Sequence, residues 1–369
     1  MKKTLLAAAL LAGFAGAAQA ETSVTLYGII DTGIGYNKVK GDGYDASRIG
    51  MINGVEYGSR WGLRGTEDLG DGLRAVFQLE SGFDSGNGSR QQGGRLFGRQ
   101  ATIGLANDAW GILEFGRQTN MASKYLADID PFYGSFGQSN LGLGASSANT
   151  TRWDNMVMYR TPSYSGFEFG VGYSFNVDDN NSDETGFRTA DNTRGITAGL
   201  RYLTGPLNVT LTYDQLNGSN ASSTIDNDAT PRQYAVGLSY DFEVVKLAAA
   251  YARTTDGWFT GQDLPAGTPF SSELGTNRFV DGFKANGYMV GATLPIGGAS
   301  NVFASWQRVD PSNDRLTGGD STMNVWSLGY TYSLSKRTNL YAYGSYGKDY
   351  AFIDGLKSTA AGVGIRHRF

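Results

Sequence analysis

The segment Phe167-Glu168-Phe169-Gly170-Val171-Gly172-Tyr173-Ser174-Phe175 decides the fold class. Phe167, Phe169, Val171, Tyr173 and Phe175 take one set of alternate positions. Glu168, Gly170, Gly172 and Ser174 take the other. Period two marks a strand with unlike faces. The pattern recurs along the chain. Val209, Leu211 and Tyr213 oppose Asn208, Thr210, Thr212 and Asp214. Tyr234, Val236, Leu238, Tyr240 and Phe242 oppose Ala235, Gly237, Ser239 and Asp241, and Trp326–Leu334 repeats the arrangement. Helical periodicity of comparable strength is absent.

The connections separate two kinds of alternating protein. Short ones, near 67–72, 107–109, 161–166, 204–206, 243, 295–300 and 335–337, take turns with long polar ones. The long ones lie near 37–58, 85–95, 117–151, 176–194, 216–231, 254–284, 311–321 and 349–357. Compact water-soluble domains seldom carry so many long loops. A transmembrane barrel carries them on one side. Sixteen segments lie between these connections. An even, closed barrel leaves no unpaired edge, as lipid requires, and sixteen strands are enough to enclose water. The expected fold is therefore all-β: a 16-stranded antiparallel transmembrane β-barrel with long outer loops and short periplasmic turns.

Composition agrees and excludes much else. The 369 residues include 53 Gly, 6 Trp, 21 Tyr and 19 Phe. Glycine is about twice its usual share of roughly 7%. Aromatics at strand ends suit the two membrane interfaces. Gly170, Gly172, Gly199, Gly237, Gly329 and Gly364 fall on the polar faces and are expected to line an open, watery lumen. With no Cys and one His, disulfides and multi-His metal sites are excluded. No cofactor is expected. His367 shares the face of Val363, Ile365 and Phe369, on the barrel exterior rather than in a catalytic site. No nucleophile elbow, zinc-protease or P-loop motif occurs, so no enzyme is expected. A net charge of −4 argues against nucleic acid as a partner. The run 178–184 faintly resembles a calcium loop but lacks the sixth-position Gly, and a solvated acidic loop is the better reading.

Lys2 and Lys3, an apolar run from Leu5 to Ala18, and Ala18-Gln19-Ala20 form a secretory leader. The expected organisation is a signal peptide over 1–20 and a barrel over 21–369, in the outer membrane of a Gram-negative cell.

The charges on the inward faces are informative. Arg60 and Arg64 oppose Trp61 and Leu63, Arg74 opposes Ala75 and Phe77, and Arg160 opposes Val157 and Tyr159. Arg99 opens the fourth strand, where alternation is weak. Converging arginines in a pore favour anions; pairing of each with a nearby carboxylate is the competing reading. The longest connection carries Asp128, Asp130, Pro131, Phe132, Tyr133 and Phe136. Folding it into the lumen buries those aromatics, narrows the pore and lets Asp128 and Asp130 face the arginines. An outer surface loop is the alternative.

Four stretches carry a family resemblance. They are Val24–Gly28, Ser59-Arg60-Trp61-Gly62-Leu63-Arg64-Gly65-Thr66-Glu67-Asp68-Leu69-Gly70, Phe115-Gly116-Arg117-Gln118, and the ending Gly362–Phe369. With them the chain resembles general diffusion porins of Gram-negative outer membranes, of the β-proteobacterial type. The resemblance implies homotrimers among outer-membrane lipids and an inward-folded third loop that forms the constriction. It also implies a basic cluster opposite that loop, matched by Arg60, Arg99 and Arg160, with Arg64 and Arg74 as additions. Phe369 looks like the signal read by the outer-membrane assembly machinery. Enteric members carry Pro-Glu-Phe-Gly in the third loop. The counterpart here, Asp130-Pro131-Phe132-Tyr133-Gly134, lacks the Glu, which moves the expected selectivity toward anions.

The expected function is passive diffusion of small hydrophilic solutes and ions, with anions preferred. Alternatives are a substrate-specific anion channel, or an adhesin or phage receptor acting through the outer loops. The loops 176–194, 216–231, 254–284 and 311–321 hold 13 acids and 5 bases. The negative balance thus lies outside, and the proposed constriction is positive.

Overall fold

The computed structural model describes residues 23–177, 187–219, 229–271 and 273–369. The expected leader and the acidic run 178–184 lie outside the described residues. Among the described residues, seventeen strand segments form one sheet. The first six are β1 (Ser23–Gly41), β2 (Tyr44–Asn53), β3 (Arg60–Gly70), β4 (Leu73–Gly82), β5 (Gln100–Asn107) and β6 (Gly111–Thr119). After the longest connection come β7 (Arg152–Arg160), β8 (Phe167–Ser174), β9 (Arg194–Thr204), β10 (Leu207–Asn217), β11 (Arg232–Asp241) and β12 (Lys246–Trp258). The wall is completed by β13 (Arg278–Ile296), β14 (Ser300–Pro311), β15 (Met323–Ser333), β16 (Thr338–Lys348) and β17 (Lys357–Arg368).

All pairings are antiparallel, and β17 returns to β1 through Ile30↔His367 and Gly33↔Gly364. β2 and β3 share one wall position. β1 pairs with β2 at Gly35↔Gly50 and with β3 at Leu26↔Leu63. The barrel therefore closes with 16 staves, and no backbone edge faces lipid.

The Phe167–Phe175 alternation resolves as expected. Phe167, Phe169 and Val171 point outward and are exposed, together with Leu26, Ile34, Ile103, Leu211, Val290, Leu328 and Val363. An apolar belt of this extent would be unstable in water and suits the bilayer. His367 is on this outer face and bonds Thr338 Oγ1 at 2.8 Å.

Two features depart from the sequence reading. Residues 37–58 are not one loop: β1 and β2 run on to a tight turn at Asp42-Gly43, with Lys38↔Ser47 still in register. Polar side chains on both faces hid a ladder that projects beyond the membrane. The stave then breaks at residues 54–59, between β2 and β3. The lumen glycines are the second departure. Gly170, Gly199 and Gly237 do not line water, because side chains of the longest connection sit on them, as Pro131 does on Gly291. A Cβ at Gly199 would lie 2.8 Å from Tyr125, and one at Gly237 would lie 2.8 Å from Leu126. Gly172 is covered by Met156, Met158 and Thr197, Gly329 by Phe303 and Gly364 by Tyr341. Missing side chains here make room for packing rather than for solvent.

Candidate functional site

The connection from β6 to β7 folds into the barrel. It opens on helix α1 (Met121–Leu126), which Asn120 caps by accepting from the Ser123 amide at 3.2 Å. The residues are good helix formers, and Met121 and Tyr125 lie on Gly170 and Gly199. The amide of Asn120 also donates to Asp214 of β10 and to Ser147 O, both at 2.8 Å. The Met121 amide donates to Thr197 Oγ1 at 2.8 Å. The loop then crosses the lumen. Ser147 N reaches Gln233 Oε1 of β11 at 3.0 Å, and Gln307 of β14 donates to Ser139 O at 2.9 Å. Gln138 donates to Ser345 of β16 at 2.9 Å and accepts from Ser358 of β17 at 2.7 Å. At the stave break, Phe136 N donates to Val55 O at 2.7 Å. The loop is thus anchored from β9 round to β17, and the aperture is left against the β3–β7 wall.

The predicted loop residues divide. Asp130 does not face the arginines. It is 1% exposed, and its carboxylate accepts from the amides of Phe132 (3.0 Å), Gly134 (3.0 Å) and Leu141 (2.8 Å). Burial pushes it up to about 6 against those hydrogen bonds. Phe132 is buried, edge-on to Phe136 and Phe303, and Pro131 rests on Gly291. A loop that crosses a lumen must bury its own apolar side, and these residues supply it. Tyr133 is 46% exposed and borders a hollow shared with Asp128 and Lys246, away from the β3–β7 wall. Asp128 is exposed but meets a different cation: Arg201 of β9 at 3.2 Å, while its backbone oxygen accepts from Lys246 at 2.7 Å.

On the opposite wall, Glu80 of β4 pairs with Arg99 at 2.7 Å and Arg60 at 3.4 Å, and accepts from the Tyr27 hydroxyl at 3.0 Å. Those two predicted residues come together. Arg64 lies two inward steps below Arg60, past Gly62, with its guanidinium 5.5 Å from the Tyr27 ring, and makes no ion pair among the described residues. Arg160 stands apart, paired with Glu114 at 3.0 Å beneath α1. Arg74 is farther still. It pairs with Asp108 in a periplasmic turn at 2.6 Å, six residues along β4 from Glu80, or about 20 Å.

Several cations escaped sequence reasoning. Arg152, at the loop's exit, donates to Arg99 O at 2.9 Å and Thr150 O at 3.1 Å, and no described carboxylate pairs with it. Arg95 and Arg117 both engage Asp154, at 2.7 and 2.6 Å. Lys124 on α1 lies near Arg160, and burial followed by that charge lowers it to about 8. Irregular backbone conceals such residues, because alternation assigns no face there. Arg366 and Arg368 were missed as well, although alternation puts them on the inward face of Gly364. Pairing with carboxylates is thus real for Arg60, Arg99 and Arg160. Among the described residues, Arg64 and Arg152 keep no ion pair on the wall that holds Arg60 and Arg99. Phe369 exchanges backbone bonds with Gly28, both at 3.1 Å, and its ring covers that glycine on the outer face.

Comparisons with known proteins place this geometry. Residues 7–350 match a family described as Gram-negative porin. The chain is 69% identical to an outer membrane porin protein of Bordetella pertussis, with all of both chains covered. It is 34% identical to outer membrane porin protein 32 of Delftia acidovorans, again over all of both. Among solved structures it is similar to the anion-selective porin from Comamonas acidovorans. That match has 29% identity and a TM-score of 0.72, and covers 95% of this chain and 100% of the other.

Proposed function

The chain belongs to the Gram-negative porin family and forms a water-filled channel in the outer membrane, and we propose that this channel prefers anions. One observation carries the proposal. The inward loop leaves its aperture against a wall where, among the described residues, Glu80 is the one carboxylate paired with any of Arg60, Arg64, Arg99 and Arg152. A fixed positive field in a narrow passage concentrates anions and repels cations. The kinship with a porin described as anion-selective supports the same reading.

The test is the reversal potential of the reconstituted protein in planar bilayers under a KCl gradient. The expected sign is that of chloride preference, and a cation-preferring potential overturns the proposal. Arg64→Gln is expected to move the potential toward the cation side without loss of folding, because Arg64 has no carboxylate to leave behind. Replacing Arg60 and Arg99 together should move it further and also destabilise the barrel, because Glu80 then stays buried without a cation.

Three further readings belong to the proposal. The protein works as a homotrimer, which predicts conductance steps in threes. Residues 1–20 are removed on export, which predicts Glu21 as the mature terminus in mass spectra. Phe369 directs assembly, which predicts poor outer-membrane insertion of Phe369→Ser.

A further inference from the structure

The stave break leaves a second cationic feature in the lumen, on the periplasmic side of the loop. Residues 54–59 turn inward there. They are held by Asp31, which accepts from the Tyr57 amide at 2.6 Å and the Tyr341 hydroxyl at 2.7 Å. This detour carries Glu56 and Tyr57 into the lumen beside the end of β17. Arg366 lies 4.8 Å and Arg368 5.6 Å from the centre of the Tyr57 ring. Together they border a recess of about 250 Å³, with Asn301, Thr331, Asn339 and Phe303 on its other sides.

The hydrogen-bond inventory of the recess is incomplete. Arg366 pairs with Glu56 at 3.0 Å, but its Nε is buried without an acceptor. Asn339 donates to both Glu56 oxygens at 2.9 Å, and its own Oδ1 is buried without a donor. Arg368 makes no ion pair among the described residues. Glu56, with Asp31 behind it, answers Arg366, which leaves Arg368 as the guanidinium at the recess without an ion pair. Those two atoms are closed off from the recess, so the group left open to a ligand is the Arg368 guanidinium, with the polar side chains of Asn301 and Thr331 across from it.

We propose that this recess is a subsite for a small hydroxylated monocarboxylate. A carboxylate matches the planar fork of arginine in shape as well as charge. A hydroxyl on the adjacent carbon suits the polar side chains of Asn301 and Thr331 on the recess wall. Phe303 provides an apolar floor for the carbon skeleton, and Asn301 and Thr331 offer further polar contacts. The inference rests on the channel reading, because the ligand reaches the recess through the lumen.

The experiment uses the full-length protein in planar bilayers at fixed KCl, with sodium lactate as the probe. In the wild type, lactate should depress the chloride current along a saturating curve. Arg368→Gln should raise the half-saturating concentration about tenfold, equivalent to roughly 1.4 kcal/mol of binding. Asn301→Ala, which leaves the charge unchanged, should raise it as well and decides the matter if Arg368→Gln does not insert. A non-saturating response in the wild type overturns the subsite, as does an unchanged curve in these variants. So does a shift in Arg64→Gln alone. Stronger depression by inorganic phosphate than by lactate overturns the carboxylate assignment. Failure of the wild type to conduct in KCl alone would instead count against the channel.

Discussion

Asp130 shows how a side chain near a pore can serve the loop rather than the solute. Its carboxylate gathers three backbone amides of one irregular turn. Asp130→Ala leaves those donors without their acceptor, at about 1–3 kcal/mol for each buried group. Faster hydrogen exchange at Phe132, Gly134 and Leu141, and a noisier open channel, are the expected readouts. Burial raises Asp130 to about 6, so the folded loop holds this proton more tightly than the unfolded chain does. Its contribution to stability is complete below about pH 4 and is lost as pH rises through 6. Exchange of the same amides, corrected for intrinsic rate, should therefore accelerate between pH 4 and 7 in the wild type but not in Asp130→Asn. The sequence marks Asp128, Asp130 and Tyr133 as loop residues. It does not say which faces water, because a turn with no repeat assigns no side to a side chain.

Among the elements, strands were legible and the loop's seat was not. Alternation placed Phe169 outside and Gly170 inside, and Arg60 and Arg64 on the lumen wall, because a strand turns successive residues to opposite faces. The same rule revealed the glycines but not their neighbours. Gly170, Gly199 and Gly237 form a shallow seat for Met121, Tyr125, Leu126 and Ile129. Gly199→Leu or Gly237→Leu should lift α1 from the wall, cost about 1–3 kcal/mol, and change single-channel conductance. A melting temperature and conductance equal to wild type would contradict that seat. The break at residues 54–59 was also hidden. It depends on Asp31 and Tyr341, which are far from it in the chain and adjacent only once β17 meets β1.

For the whole molecule, charge is sorted by position. The outer loops are acidic and the constriction wall is basic, so net charge is a poor guide to the ion carried. Screening gives a test at this scale. The Debye length is about 10 Å at 0.1 M salt and about 3 Å at 1 M. Chloride preference, read as reversal potential at a constant concentration ratio, should weaken as mean salt rises over that range. A constant preference would point instead to close contact with each ion. The sequence by itself determined the barrel, its lipid face and the inward side of each regular strand, because alternation is a local property and lipid admits few closed solutions. Only the tertiary structure decided which arginines keep no ion pair among the described residues, that Asp130 turns away from the pore, and that Arg366 and Arg368 meet Tyr57. Those outcomes depend on ring closure and on a loop crossing the lumen, which bring together residues separated by hundreds of positions along the chain.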